Sequence, residues 1–297
     1  MLVGKKDPGP SGDILFEDDV LKTTDPGGKR GAALLERLSA VIFDVTAQRE
    51  DFEYELCHKL INDFVEDFLE TEIKNFSSVP YMEIIRYIKE AELESTEVYL
   101  TFAELFELDG DIYFAEDLEL KSIPVYLKSL SFYIDALLTN SELIPENYTG
   151  KINNLIKIVG DYEMPDWAVF HLFKYHETSG QYGKAEDLLF ELLGATSHID
   201  LNSAKTAEDK PGYSIPRQTL IDEGIAFYNR VISQGSVNLS MGNLPINEAI
   251  EGLDQLIKLK SNQEIIKTTP HGDNDNNNPA RQSFSIKNDG NGEANDA

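Results

Sequence analysis

Cysteine, positive charge and long apolar runs are what this sequence has least of. Cys57 is the only cysteine, which excludes a disulfide within the chain and a zinc site built on several thiolates. It falls on an apolar helical stripe with Leu56, Leu60 and Ile61, so we expect a packed thiol. No apolar run approaches the ~18 residues of a membrane-spanning helix. The segment after Met1 lacks the apolar centre of a secretory signal, and we expect a cytoplasmic protein.

Positive charge is scarce, because 26 lysine and arginine residues face 53 aspartate and glutamate residues, a formal net charge of −27. Such a surface repels phosphate backbones and anionic lipids, so nucleic-acid and membrane partners are not expected. Three roles for the acidic residues stay open. They keep the protein dispersed in solution, which we favour, or they attract a basic protein partner, or they hold divalent cations loosely.

The apolar residues of the central chain recur at helical spacing. No segment shows sustained alternation with period two, so the fold is predicted to be all-α with disordered termini. Residues 32–46 form either a separate helix or the start of the next one. The predicted organisation is a disordered arm (1–30), N-terminal helices packing on the repeat body (31–94), a tetratricopeptide-like helical domain (95–260) and a disordered Asn/Asp/Gly-rich tail (261–297).

Prolines mark most of the predicted helix starts, because a proline has the φ of a helix and its missing N–H needs no partner in the first turn. These prolines are Pro80, Pro124, Pro165, Pro216 and Pro245. Ser95 is predicted to cap a further helix, which ends near Gly110. The helix after Pro165 is apolar almost all round, so it should lie centrally in the fold.

One segment occurs twice, 70 residues apart, at Tyr99–Leu118 and Val169–Leu188. In both copies an apolar stretch runs to a glycine, Gly110 or Gly180, and Ala-Glu-Asp-Leu follows five residues later. This spacing is about two helix-turn-helix units of ~34 residues. The repeat predicts tetratricopeptide-like antiparallel helical hairpins, arranged as a short α-solenoid or a bundle.

The second copy carries the fuller tetratricopeptide pattern. Gly180 is predicted to form the turn, and Ala185 to let the two helices cross closely, with Leu189 filling space beside it. The first copy lacks such a crossing residue, so its second helix is expected at Pro124–Leu138. A generic bundle of helical hairpins stays open as the alternative.

The residues from about 95 to 257 resemble an uncharacterised bacterial family, mostly from Firmicutes, whose members look like tetratricopeptide proteins. The segments that carry the resemblance most strongly are Tyr182–Leu193, which reads YGKAEDLLFELL, and Gly242–Pro245, which reads GNLP. The resemblance implies a helical-repeat fold. It implies no activity, cofactor or catalytic residue.

Motifs of enzymes and metal sites begin in this sequence without being completed. His176-Glu177 starts like a zincin motif, but the second histidine would fall at Gly180. Glu116-Asp117 and Glu186-Asp187 resemble carboxylate pairs, yet adjacent residues on a helix diverge by ~100°. Their recurrence indicates negative charge in the first turn of a helix. No catalytic residue, metal or cofactor is predicted.

The first helix of the second copy is predicted to bind a partner. Tetratricopeptide arrays bind peptides on the side lined by such helices, which here presents Trp167, Phe170, Lys174 and Glu177. Aromatic residues anchor interfaces, and a lysine orients an acidic group. Trp167 and Phe170 also have an interpretation as core residues, which we favour, and Lys174 is the better groove residue.

These features together predict a non-enzymatic helical-repeat interaction module, an adaptor or assembly factor that binds a protein partner, with a basic partner among the candidates. The first alternative is a self-associating structural or scaffold protein. The second is an enzyme whose site has no recognisable motif.

Overall fold

The computed structural model describes residues 26–70, 75–143, 146–195 and 214–268, which contain eleven α-helices and no strand. The all-α prediction is therefore confirmed for this part of the chain. None of the helices described is both long and apolar enough to cross a membrane. The helices are α1 (Pro26–Glu50), α2 (Tyr54–Leu69), α3 (Tyr81–Glu90), α4 (Thr96–Ala115), α5 (Glu119–Thr139), α6 (Glu146–Val159), α7 (Asp166–Thr178), α8 (Tyr182–Ala195), α9 (Arg217–Ser233), α10 (Ser236–Met241) and α11 (Ile246–Thr268).

The helices extend further at both ends of the chain than the predicted helical region of 31–260. α1 begins at Pro26, and α11 continues to Thr268. Residues 32–46 belong to α1, which is separate from α2. The remainder of the two predicted disordered ends, 1–25 and 269–297, lies outside the described residues.

Most predicted helix starts are confirmed. Pro80, Pro165 and Pro216 are the residues that precede α3, α7 and α9, and Pro245 precedes α11. Ser95 caps α4, because its side-chain oxygen accepts a hydrogen bond from the backbone N–H of Val98 at 3.3 Å. These starts agree with the local preferences of proline and serine.

Pro124 is an exception, because α5 begins at Glu119 and the proline lies inside the helix. The backbone N–H groups of Lys121 and Ser122 already donate to the carbonyl of Leu118, at 2.8 and 3.2 Å. The prediction that Pro124 begins this helix was wrong. A proline here removes the hydrogen bond to the carbonyl four residues earlier and crowds that carbonyl, but α5 stays helical through it and packs on α4, α6 and α7.

The two copies of the repeated segment have different structures. In the second copy α7 ends before Gly180, which has φ of +72°, and Ala-Glu-Asp-Leu lies in α8. In the first copy α4 continues through Gly110 to Ala115, and Glu116 to Leu118 form the turn into α5. The prediction that Gly110 ends a helix was therefore wrong, and so was the placement of Glu116-Asp117 in a first helical turn.

Gly110 instead permits close packing of α4 against α5. A Cβ atom on this residue would lie 2.6 Å from a ring carbon of Tyr126. The Tyr126 hydroxyl donates to Asp111 at 2.8 Å, and Ser129 donates to the carbonyl of Ala103 at 2.8 Å. These pairs run in opposite directions along the two helices, which makes α4 and α5 an antiparallel hairpin.

Other neighbouring helices also pair in antiparallel fashion. The Cys57 thiol contacts the carbonyl of Val45 at 3.5 Å, and it is buried as predicted. In the C-terminal part, Lys260 pairs with Asp222 at 2.8 Å, while Gly252 lies against Tyr228. Helices α1 with α2 and α9 with α11 are thus packed pairs beside the α4–α5 hairpin.

Two apolar clusters form the core, and α7 belongs to both. The first cluster joins helices α1 to α7 and the second joins α7 to α11. The prediction that α7 lies centrally is confirmed. Ala168, Leu172 and Tyr175 of α7 face the first cluster, and Val169 and Phe173 face the second.

We predict that Gly110→Ala destabilises the protein, whereas Gly150→Ala does not. The added methyl at position 110 meets the Tyr126 ring, and overpacking of this kind costs about 1–3 kcal/mol. Gly150 lies in α6 with no atom within 4 Å of an added Cβ, so alanine there adds up to about 1 kcal/mol of helix stability. Urea unfolding followed by circular dichroism measures both. Equal stability of the two variants would contradict the close contact.

Candidate interaction site

The aromatic residues predicted to bind a partner pack inside the protein. Trp167 is half-buried and stacks on Tyr81, with ring centroids 4.8 Å apart and planes 9° apart. Phe170 is also half-buried, and it contacts Phe173 with centroids 5.7 Å apart. The two residues pack against different core clusters. Both side chains therefore help α7 to join the two clusters.

The charged residues predicted at the same site are engaged with α9. Lys174 Nζ lies 3.1 Å from Glu177 and 2.8 Å from Glu223. Arg230 donates to the same two carboxylates, in each case at 2.6 Å. Burial alone would raise the pKa of Glu223, but its bonds to Lys174 and Arg230 outweigh burial and lower that pKa. Lys174 thus already has two carboxylate partners within the protein.

His171 links α7 to α5. Its Nδ1 lies 2.6 Å from the carbonyl of Trp167, and its Nε2 lies 3.1 Å from Asp135. A carbonyl and a carboxylate oxygen accept hydrogen bonds, so these two contacts favour the doubly protonated ring, while the Tyr81 hydroxyl also lies 3.0 Å from Nε2. The Tyr81 hydroxyl donates to the same carboxylate. Burial lowers the pKa of His171, but the charge and hydrogen bond of Asp135 outweigh it, and the net shift is upward.

His58 of α2 forms a similar link to the end of α4. Its Nδ1 lies 2.6 Å from Asp109, its Nε2 lies 3.1 Å from Glu116, and its ring lies 4.3 Å from that of Tyr113. Burial opposes the charged form, yet the two carboxylates together raise the pKa of His58. Glu116 belongs to the α4–α5 turn, so this histidine fastens that turn to the first turns of α2.

The polar group around His58 lacks the geometry of a catalytic triad. Ser77 donates to Asp109 and not to the histidine, whose two nitrogens both face carboxylates. A general base needs a free nitrogen beside the nucleophile. Nearby Lys128 donates to the carbonyls of Ser77 at 2.5 Å and Val79 at 2.7 Å, and burial lowers its pKa to about 8. These contacts hold the segment before α3 against α5.

Four large apolar side chains are exposed on two neighbouring turns, and we call this set the turn surface. The α1–α2 turn and the α4–α5 turn are neighbours because His58 bonds Glu116 and because Arg49 pairs with Asp111 at 3.6 Å. The turn surface consists of Phe52, 75% exposed, Leu56, 40% exposed, Phe114, 59% exposed, and Leu120, 82% exposed. Exposure of several large apolar residues on neighbouring helix ends indicates an interaction surface.

The backbone holds Phe52 in a position that usually belongs to glycine. The N–H of Phe52 donates to the carbonyl of Arg49 at 3.1 Å, and that of Glu53 donates to Gln48 at 3.0 Å, which is a Schellman ending of α1. Phe52 has φ of +64°, a left-handed conformation that costs a non-glycine residue about 1–2 kcal/mol. A strained, exposed phenylalanine points to a use outside the core.

Acidic residues surround the turn surface. α4 also ends in a Schellman motif, in which Asp117 has φ of +59°. In sequence, Asp117 lies between Phe114 and Leu120. The carboxylates of the two turns are Glu50, Asp51, Glu53, Glu55, Glu116, Asp117 and Glu119. In sequence they appear as EDFEYEL and FAEDLEL, in which single apolar residues stand among acids. That pattern was the signal for this surface, and the search for aromatic residues on one helix missed it.

Within the described ranges, no group of three or more histidine, cysteine, aspartate or glutamate residues is arranged to hold a metal ion. The chain matches no protein-family model, no curated protein sequence and no solved structure. The resemblance to a bacterial family thus stays a prediction.

We predict that Glu116→Gln lowers the pKa of His58, and that Asp135→Asn lowers the pKa of His171. Each substitution removes a negative charge beside one imidazolium and leaves the other untouched, so each variant is the control for the other. Titration of the imidazole C2 protons by NMR measures both values. A shift of both histidines in either variant, or of neither, would contradict these contacts.

The stabilising effect of His58 is expected to depend on pH. Its pKa is raised in the folded protein, so its contribution is fully present below the unfolded value of about 6.5 and is lost as pH rises through the folded pKa. The difference in unfolding free energy between the protein and its His58→Gln variant should shrink over that interval. Urea unfolding at a series of pH values measures it, and a constant difference would contradict the charged link.

Proposed function

We propose that this protein is a non-enzymatic interaction module, built of tetratricopeptide-like antiparallel hairpins, that binds a protein partner as a cytoplasmic adaptor or assembly factor. The observation that carries the proposal is the turn surface. Its four apolar side chains are exposed at one end of the α1–α2 and α4–α5 hairpins. The polar residues beneath it are engaged with one another.

The hairpin of α7 and α8 supports the tetratricopeptide-like part of the proposal. Gly180 has the left-handed conformation of a turn, and Ala185 is fully buried between helices. The N–H of Gly183 donates to the carbonyl of Gly242 at 2.9 Å. The two segments that carry the bacterial resemblance are therefore in contact.

The choice of an interaction module over an enzyme is supported by the state of the polar groups. His58, His171 and Lys128 are the described residues with the most suggestive chemistry. His58 and His171 are bonded to carboxylates on neighbouring helices, and Lys128 is bonded to two carbonyls of the segment before α3. Such groups link helices instead of facing a substrate. The predicted groove residues of α7 are less suited to a partner than the turn surface, because Lys174 and Glu177 already form internal ion pairs.

Two measurements test the proposal, namely the mass of the protein in solution and the capture of a protein partner by crosslinking. We expect light scattering to give a monomer near 33.4 kDa, because like charges oppose self-association. A photo-crosslinking residue at position 120 should capture a protein that then forms a stoichiometric complex when purified and mixed. The same residue at position 241, which is equally exposed at 82%, is the matched control.

Two results would contradict this function. A stable oligomer of the purified protein would favour the self-associating scaffold. Equal capture at positions 120 and 241, without a complex on reconstitution, would mean that exposure alone explains the crosslinks.

A further inference from the structure

The turn surface combines apolar anchors with carboxylates that lack an ion pair. Among the described residues, no lysine or arginine pairs with Glu50, Asp51, Glu53, Glu55 or Asp117, and all five are exposed. Each of them lies within a few residues of Phe52, Leu56, Phe114 or Leu120 along the chain.

Three basic residues lie near these carboxylates, and one of them, Lys59, is exposed four residues after Glu55. Arg49 pairs with Asp111, and the Lys121 ammonium lies 5.9 Å from the centroid of the Tyr113 ring. The surface is therefore apolar at its anchors and negative around them.

The helix ends at this surface do not cancel its negative charge. The C-termini of α1 and α4 and the N-termini of α2 and α5 meet here, so their opposite dipole ends offset one another. The side-chain carboxylates then decide the sign of the potential. That sign disfavours a second copy of this surface and an anionic membrane as the occupant, since both would bring like charge.

We propose that the turn surface binds a basic amphipathic helical segment of a protein partner. The apolar face of that segment packs on the four anchors, and its lysine or arginine residues meet the unpaired carboxylates. An amphipathic helix presents its apolar anchors at the i, i+3, i+4 and i+7 positions. The inference rests on the proposed interaction function and names the chemistry of its partner.

Three synthetic peptides of about 18 residues test this chemistry with the full-length protein. The first is a Lys/Leu amphipathic helix, the second has the same composition in scrambled order, and the third replaces Lys by Glu. We expect the first to bind, the second to bind roughly tenfold more weakly, and the third not to bind. Raising salt to about 0.3 M should weaken the first complex. Equal binding of the ordered and scrambled peptides would overturn the proposal.

Matched variants locate the binding. Phe114→Ser with Leu120→Ser should weaken binding of the Lys/Leu peptide by roughly tenfold or more. Val237→Ser with Met241→Ser, at 72% and 82% exposed positions of α10, is the control and should leave affinity unchanged. Asp51→Asn with Glu53→Gln should reduce both affinity and its salt dependence. Unfolding curves confirm that each variant is folded. Equal loss in the control pair would overturn the assignment of the surface.

The Phe114→Ser, Leu120→Ser variant distinguishes a failure of the proposed binding surface from a failure of the proposed interaction function. If a reconstituted protein partner binds the Phe114→Ser, Leu120→Ser variant as tightly as the unaltered protein, the interaction function stands and this surface is wrong. If no protein partner forms a complex with the unaltered chain, the interaction function itself fails.

Discussion

The close packing of α4 against α5 is the contact on which the rest of the structure depends. It requires a residue without a side chain at Gly110, because the ring of Tyr126 occupies the space of a Cβ atom. α4 also packs on α1 and α2, while α5 packs on α6 and α7. The His58 and His171 links each join a neighbouring helix to one member of this hairpin. Its turn, held in place by His58, carries half of the turn surface.

Several buried polar groups also join a neighbouring helix to the α4–α5 hairpin. This role explains why chemically suggestive residues occur in a chain proposed to lack catalysis. Lys151 of α6 lies 2.7 Å from Glu104 and 3.0 Å from Glu107, both on α4. Burial raises the pKa of Glu104, and the charge of Lys151 opposes that shift. A buried pair of this kind adds little net stability, but leaving one member unpaired is costly. Such pairs therefore favour one alignment of helices over others.

The sequence predicted what local chemistry decides. Ser95 and the prolines before α3, α7, α9 and α11 mark helix starts through their own backbone properties, and the apolar circumference of α7 predicted its central position. The predictions at Gly110 and Pro124 were wrong because each residue type has more than one role. Glycine occurs in turns and also where two helices pack closely, and proline occurs at helix starts and also inside buried helices. Only the partner across the interface, Tyr126 for Gly110, distinguishes these roles. The turn surface escaped prediction because large apolar residues were expected in the core, whereas Phe52 lies in a turn and both Phe52 and Leu56 are exposed.

The most direct test of the central claim is hydrogen–deuterium exchange of the full-length protein with and without the basic amphipathic peptide. Binding at the turn surface should slow backbone exchange in residues 49–58 and 113–121, which form the two turns, and leave α9 to α11 unchanged. Protection confined to α7 and α9 would place the partner at the ion pairs of Lys174 instead. Unchanged exchange in both turns at saturating peptide would contradict the account.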